Sequence, residues 1–106
     1  MHTSKIYENL NKILNQRKEM LSSNDSPEKR LFNTVFDYCL NSLNHEQRNI
    51  FKKCYVDNAY PFWWMDYYCK SSFYRKRVAT VTNFVELFEK IYEGSNRIAT
   101  TFNLAY

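Results

Sequence analysis

Hydrophobic side chains recur every three or four residues along most of this chain, which is the spacing of one face of an α-helix. One such run covers roughly Ser4 to Leu21, and its apolar positions are Ile6, Leu10, Ile13, Leu14 and Leu21. A second run covers Pro27 to about Ser42, and it places on one face Leu31, Phe32, Val35, Phe36, Cys39 and Leu43. Both segments are predicted to be amphipathic helices that pack against another element.

Two start signals divide the first half of the chain. Ser26 is a favoured N-cap residue, and Pro27 fits the first helical position because no N–H donor is needed there. Asn44 followed three residues later by Gln47 forms a second N-cap pattern. It predicts a third helix whose apolar side is formed by Ile50, Phe51, Cys54 and Tyr55.

The second half predicts one short and one long helix. Residues 61–69, "PFWWMDYYC", begin with a proline and include five aromatic residues among nine, and they are predicted to form a fourth helix of about two turns. A fifth helix follows and ends at Glu93, with Gly94 at the C′ position. Its apolar stripe is Tyr74, Val78, Val81, Val85, Phe88 and Tyr92. The tail, 95–106, is weakly patterned, and a short helix, an ordered arm and disorder all remain open.

Composition favours an all-α fold of about five helices in one domain. The 106 residues include one glycine and two prolines, and a sheet needs several tight turns that those residues build. We expect the N-terminal helices, residues 1–43, to pack on a unit formed by residues 44–93, followed by the tail 94–106. Without a glycine-rich phosphate loop, a nucleotide-binding α/β fold is not expected.

The sequence offers little support for catalysis, metal binding or membrane insertion. The three cysteines, Cys39, Cys54 and Cys69, form no CxxC pair and are interpreted as reduced thiols, so no metal or other cofactor is expected. We find no Ser/His/Asp or Cys/His arrangement, and we expect neither an enzyme nor a small-molecule substrate. Neither a membrane span nor a signal peptide is recognisable, which predicts a cytoplasmic protein without a membrane partner.

Positive charge is concentrated at the start of the predicted fifth helix. Lys70, Arg75, Lys76 and Arg77 together carry four positive charges, which equals the net charge of +4 of the whole chain. A short helix, a break of about three residues and a longer helix with a basic start form the layout of a helix-turn-helix. This layout predicts a nucleic-acid-binding surface.

Residues 43–93 resemble two related groups of regulators. Leu43, Arg48, Ile50, Trp63 or Trp64, the stretch "FYRKR" and the amphipathic run "VTNFVELFEKIY" occur in the order found in phage transcription regulators of the ArpU type. The same half of the chain is similar to the fourth conserved region of sigma factors, which is also a helix-turn-helix. Alignment on "FYR" implies core positions at Phe73, Arg77, Thr80 and Phe84, one residue away from the Tyr74 stripe.

The resemblance implies a small transcription regulator that binds double-stranded DNA. Its recognition helix would begin near Ser72, and the residues that would contact DNA are Lys70, Ser71, Ser72, Arg75, Lys76 and Arg77. Among these, Lys70 and Arg77 are expected on phosphates, while Arg75 could read a guanine. Dimerisation is also expected, since paired half-sites increase affinity.

A different class of function remains open. The chain could be a helical interaction or self-association domain without nucleic-acid binding, because Trp, Tyr and Met are enriched at protein interfaces. The residues expected at such an interface, or at a dimer interface, are Trp63, Trp64, Leu87 and Ile91. A third interpretation has the aromatic cluster stack on unpaired bases of RNA.

Overall fold

The computed structural model describes the backbone of residues 3–104 and the side chains of residues 4–94. Four α-helices are present in that part of the chain: α1 (Thr3–Ser22), α2 (Pro27–Ser42), α3 (His45–Phe51) and α4 (Lys70–Leu104). A π-helical turn, Lys52–Val56, continues α3, and a single 3₁₀ turn, Trp63–Asp66, precedes α4. No strand occurs among the described residues, so the all-α prediction is confirmed.

The count of about five helices is wrong, because residues 61–69 contain only the 3₁₀ turn instead of a two-turn helix. Helices this short are marginal by themselves, and aromatic residues have only moderate helix propensity. The Trp64 ring instead stacks on Phe73 of α4, with the ring centroids 4.7 Å apart and the planes 5° from parallel. Tertiary stacking therefore determines the conformation of this segment.

The prediction that the last helix ends at Glu93 is also wrong, since α4 continues through Gly94 to Leu104. Gly94 does not take the left-handed conformation of a C′ residue. No atom of the described residues lies within 4 Å of the position that a Cβ would occupy there, so none of them requires a glycine at this position. The tail contains no proline to stop the helix.

The predicted caps form as expected. Ser26 Oγ accepts a hydrogen bond from the Lys29 N–H at 3.1 Å, and Asn44 Oδ1 accepts one from the Gln47 N–H at 2.8 Å. At the joint between α2 and α3, Arg48 Nη2 donates to the carbonyl oxygens of Asn41 and Leu43, each at 3.2 Å. A cation at the C-terminus of α2 also complements the helix dipole.

The main core lies where α1, α2 and α3 pack on α4. It consists of Ile6, Leu10, Ile13, Phe32, Val35, Phe36, Cys39, Leu43, Phe51, Val81, Phe84, Val85 and Phe88. The Phe84 ring lies at its centre, 4.2 Å from Phe51 and 5.1 Å from Phe36 between centroids. Leu21, which was expected on the apolar face of α1, is exposed, and no described residue covers it.

A smaller core of Ile50, Trp64 and Phe73 supports the start of α4. In this half of the helix, Phe73 and Thr80 are buried while Tyr74 is 39% exposed, so the register implied by "FYR" is correct there. From Val81 onward, Val85 and Phe88 of the alternative stripe are buried together with Phe84. Both sets of positions are buried in this part of α4, because other helices pack on more than one side of it.

Candidate functional site

One open surface lies on the early part of α4. It is a shallow concave region of about 360 Å³ lined by Ser72, Arg75, Lys76 and Ala79, and we call it the Arg75 face. Arg75 is exposed, whereas Ser72 and Lys76 are half-buried. Packing of Trp64 against Phe73 holds this part of α4 to the body of the protein. This packing therefore fixes the Arg75 face relative to the rest of the protein.

Lys76 already has a carboxylate partner within the protein. Its Nζ lies 2.9 Å from Oε1 of Glu46, which is in the first turn of α3, and the Tyr68 hydroxyl donates to Oε2 of the same carboxylate at 3.0 Å. The hydrogen bond from Lys76, followed by the one from Tyr68, lowers the pKa of the Glu46 carboxyl. An anion that binds Lys76 has to compete with Glu46.

Arg77 lies on a different side of the helix from Arg75. Two residues at about 100° each separate the two side chains by roughly 160° around the axis. Arg77 Nε donates to the Tyr7 hydroxyl at 3.0 Å, and its guanidinium carbon lies 5.3 Å from the centre of the Tyr7 ring and 5.0 Å from that of Tyr74. The structure therefore separates Arg77 from Arg75, whereas Lys70, seven residues earlier on α4, shares the Tyr74 ring with Arg77.

The remaining predicted contacts lie at the exposed start of α4. Lys70 and Ser71 are exposed, and Lys70 Nζ is 5.9 Å from the centre of the Tyr74 ring. Arg75 makes neither a hydrogen bond nor an ion pair with any side chain that the structure describes. Beside them, the backbone N–H of Ser72 and the hydroxyl of Ser71 lower the pKa of the exposed Cys69 thiol.

Several large apolar side chains are exposed around the 3₁₀ turn. We call residues 60–67 the aromatic segment. Its exposed large apolar side chains are Tyr60, Phe62, Met65 and Tyr67. Of the predicted interface residues, Trp64 is buried against Phe73, Trp63 is half-buried, and both Leu87 and Ile91 pack half-buried on the main core. The sequence shows that the segment is aromatic, but not which rings face α4.

Other kinds of site find no support in the part of the chain that is described. Its His, Cys, Asp and Glu side chains form no group of three or more that could hold a metal ion. Its three cysteines are free, and burial raises the pKa of the Cys39 thiol to about 11. Its helices include none with the length and apolar character needed to cross a membrane.

Comparison with protein-family models, with curated proteins and with solved structures finds no significant match. The similarity of residues 43–93 to helix-turn-helix regulators therefore rests on the sequence pattern alone, and the short first helix of the predicted layout is replaced by the 3₁₀ turn Trp63–Asp66. Function has to be inferred from the geometry of α4 and of the segments around it.

Proposed function

We propose that the protein binds double-stranded DNA through the Arg75 face of α4 and acts as a small transcription regulator. The observation that carries the proposal is Arg75 itself, an exposed guanidinium that lies on the second turn of a long helix and forms no hydrogen bond or ion pair with the described side chains. Arginine in this position can bond both acceptors of a guanine in the major groove, and the major groove is wide enough for a helix.

The neighbouring residues suit supporting contacts. Ser71 and Ser72 offer hydroxyl groups at the start of the helix, and Lys70 offers an exposed cation for a phosphate. Lys76 can add a further phosphate contact once it leaves Glu46. Arg77 is not part of this proposal, because it is held against Tyr7.

The small number of available cations limits the electrostatic contribution to the affinity for DNA. If Lys70, Arg75 and Lys76 each neutralise one phosphate, the logarithm of the affinity should fall with the logarithm of the salt concentration with a slope of about −2.7. Three cations are few for a DNA-binding module. A homodimer that spans two half-sites would double the number of contacts, and dimerisation is therefore part of the proposal.

The direct test is a titration of the protein into a labelled mixed-sequence duplex and into the matching single strand, at low and at near-physiological salt. Duplex binding that weakens with salt and is lost in an Arg75→Ala/Lys76→Ala variant would support the proposal. A Lys18→Ala/Lys90→Ala variant is the matched control, since it removes the same charge from two other exposed positions. Equal loss in both variants would indicate a general charge effect.

A second candidate function is a protein-interaction domain, and the exposed aromatic segment favours it. Tyr60 and Tyr67 are 70% and 69% exposed, and large exposed apolar patches commonly mark interaction sites. Binding through this segment should depend little on salt because it removes apolar surface from water. Salt-independent self-association, abolished by Phe62→Ser/Tyr67→Ser, would favour this alternative.

A further inference from the structure

The groove beside Arg77 is separate from the Arg75 face. It has a volume of about 490 Å³, and the π-helical turn, the loop after it and α4 form its walls. Its lining residues are Cys54, Tyr55, Asn58, Ala59, Tyr60, Pro61, Trp63 and Arg77. This volume falls within the range of about 300–1,000 Å³ that is typical of sites for small molecules.

Arg77 is a half-buried cation without a carboxylate partner in the part of the chain whose side chains are described. It uses only Nε, which bonds Tyr7, so neither Nη group has a hydrogen-bond acceptor there. Three aromatic rings, those of Tyr7, Phe73 and Tyr74, lie within 6 Å and stabilise the charge from their faces. Among the described residues, Arg48 Nε is the only fully buried side-chain nitrogen or oxygen without a hydrogen-bond partner, so the Nη groups of Arg77 keep contact with solvent and are accessible to a ligand.

The protonation state of Arg77 agrees with this geometry. Burial lowers the pKa of its guanidinium, but the hydrogen bond to Tyr7 and the attraction of Tyr55 and Cys54 outweigh that effect and raise the pKa overall. The side chain is therefore charged at any physiological pH, and its free N–H donors suit a planar anion.

The backbone around the groove is unusual in two places. The π-helical turn carries Cys54 and Tyr55 into the wall, and such turns occur often at functional sites. Just beyond it, Asn58 takes a φ of 50°, in the left-handed region that few non-glycine residues adopt. The Ala59 N–H then bonds the Lys53 carbonyl at 3.0 Å, which turns the chain toward Tyr60.

We propose that this groove binds a small aromatic carboxylate. The carboxylate would take the free Nη donors of Arg77, and the aromatic ring would lie against Tyr60 and Trp63. Arg77 is the only cationic lining residue among those described, and the nearby Lys53 Nζ, 4.9 Å from the centre of the Trp63 ring, is outside the lining. A single negative charge therefore matches the groove. A phosphate monoester carries more negative charge, about −1.5 to −2, and would be less well compensated.

Binding can be followed at two atoms within the groove by NMR. Arg77 Nε–H and the Trp63 indole N–H both give ¹⁵N signals, while the indole of Trp64, buried against Phe73, provides an internal reference.

The probes are phenylacetate, its neutral amide phenylacetamide, and phenyl phosphate. We expect saturable shifts of both groove signals with phenylacetate, and at least about tenfold weaker binding of the amide. Equal binding of acid and amide, or no shift at either signal, would overturn the proposal. So would tighter binding of phenyl phosphate.

Three variants test whether the ligand binds in the groove or elsewhere on the surface. Arg77→Gln should abolish phenylacetate binding, and a thermal unfolding scan shows whether the variant still folds. Tyr60→Ala provides the second test, because the side chain is 70% exposed and its loss leaves the core intact while it weakens binding. Arg75→Gln, on the opposite side of α4, should bind phenylacetate like wild type. Wild-type affinity in Tyr60→Ala, or lost affinity in Arg75→Gln, would place the ligand elsewhere. The proposal does not depend on DNA binding.

Discussion

The ammonium group of Lys76 lies 2.9 Å from the carboxylate of Glu46, and this pair ties the first turn of α3 to the early part of α4. Both side chains are partly exposed, at 39% and 46%, so water and salt screen the attraction. Such a pair contributes little to stability. It does, however, place a negative charge beside the Arg75 face, where it would compete with DNA phosphates.

We predict that Glu46→Gln strengthens duplex binding at low salt by about two- to fivefold, the range expected for loss of one exposed ion pair. The change frees Lys76 and also removes a negative charge that repels DNA. Fluorescence anisotropy with a labelled duplex measures the effect. Asp37→Asn on α2 is the control, since it alters the net charge equally at an exposed position that does not line the Arg75 face. An equal gain in both variants would contradict a specific role of Glu46.

The Glu46–Lys76 contact also predicts a pH dependence. The pKa of Glu46 is lowered in the folded protein, first by the hydrogen bond from Lys76 and then by that from Tyr68. Its contribution to stability is therefore complete above the unfolded value of about 4.3 and is lost as the pH falls through the lower folded value. An NMR titration of the side-chain carboxyl should show this lowered pKa, and Lys76→Gln should raise it. An unchanged pKa in the variant would rule out the contact in solution.

We predict that the three cysteines differ in thiol reactivity. Cys69 should be alkylated first by iodoacetamide, because it is exposed and its pKa is lowered by the Ser72 N–H and the Ser71 hydroxyl. Cys39 should react last, because it is buried and burial raises its pKa to about 11. Mass spectrometry of the peptides at successive times, near neutral pH, gives the order. Early labelling of Cys39 would mean that the core opens more readily than the packing indicates.

The packing of α4 on α2 and α3 can be tested through the free energy of unfolding. Phe84→Ala should lower the free energy of unfolding by about 3–5 kcal/mol, since the ring is fully buried against Phe36 and Phe51. Tyr38→Ala, at a position 58% exposed, should change it by no more than about 0.5 kcal/mol. Urea unfolding followed by circular dichroism provides both values. Similar losses in the two variants would contradict the packing of α2 and α4.

The sequence predicts much of the fold, because local signals determine it. The caps at Ser26 and Asn44 form through side-chain bonds to backbone within three residues, and the apolar spacing of α1 and α2 matches their buried faces, apart from the exposed Leu21. The segment 61–69 escapes such prediction, because its conformation depends on the stacking of Trp64 on Phe73 of the next element. The length of α4 was also missed, since a glycine alone does not stop a helix.

The candidate site is less predictable for the same reason. Lys70, Arg75, Lys76 and Arg77 are close to one another along the chain, and the sequence shows this. In the folded protein, two of them contact residues far away in the sequence. The partners of Lys76 and Arg77 are Glu46, 30 residues away, and Tyr7, 70 residues away. Contacts of this range depend on how α1 and α3 pack on α4, and periodicity does not specify them.

The most direct test of DNA binding through the Arg75 face is a ¹⁵N NMR titration of the protein with a short duplex at low salt. The account predicts that the largest amide shifts fall between Ser71 and Ala79, with the Arg75 side-chain Nε–H among them, and that Arg77 Nε–H moves little. Shifts confined to residues 60–67, or none at all at duplex excess, would contradict it.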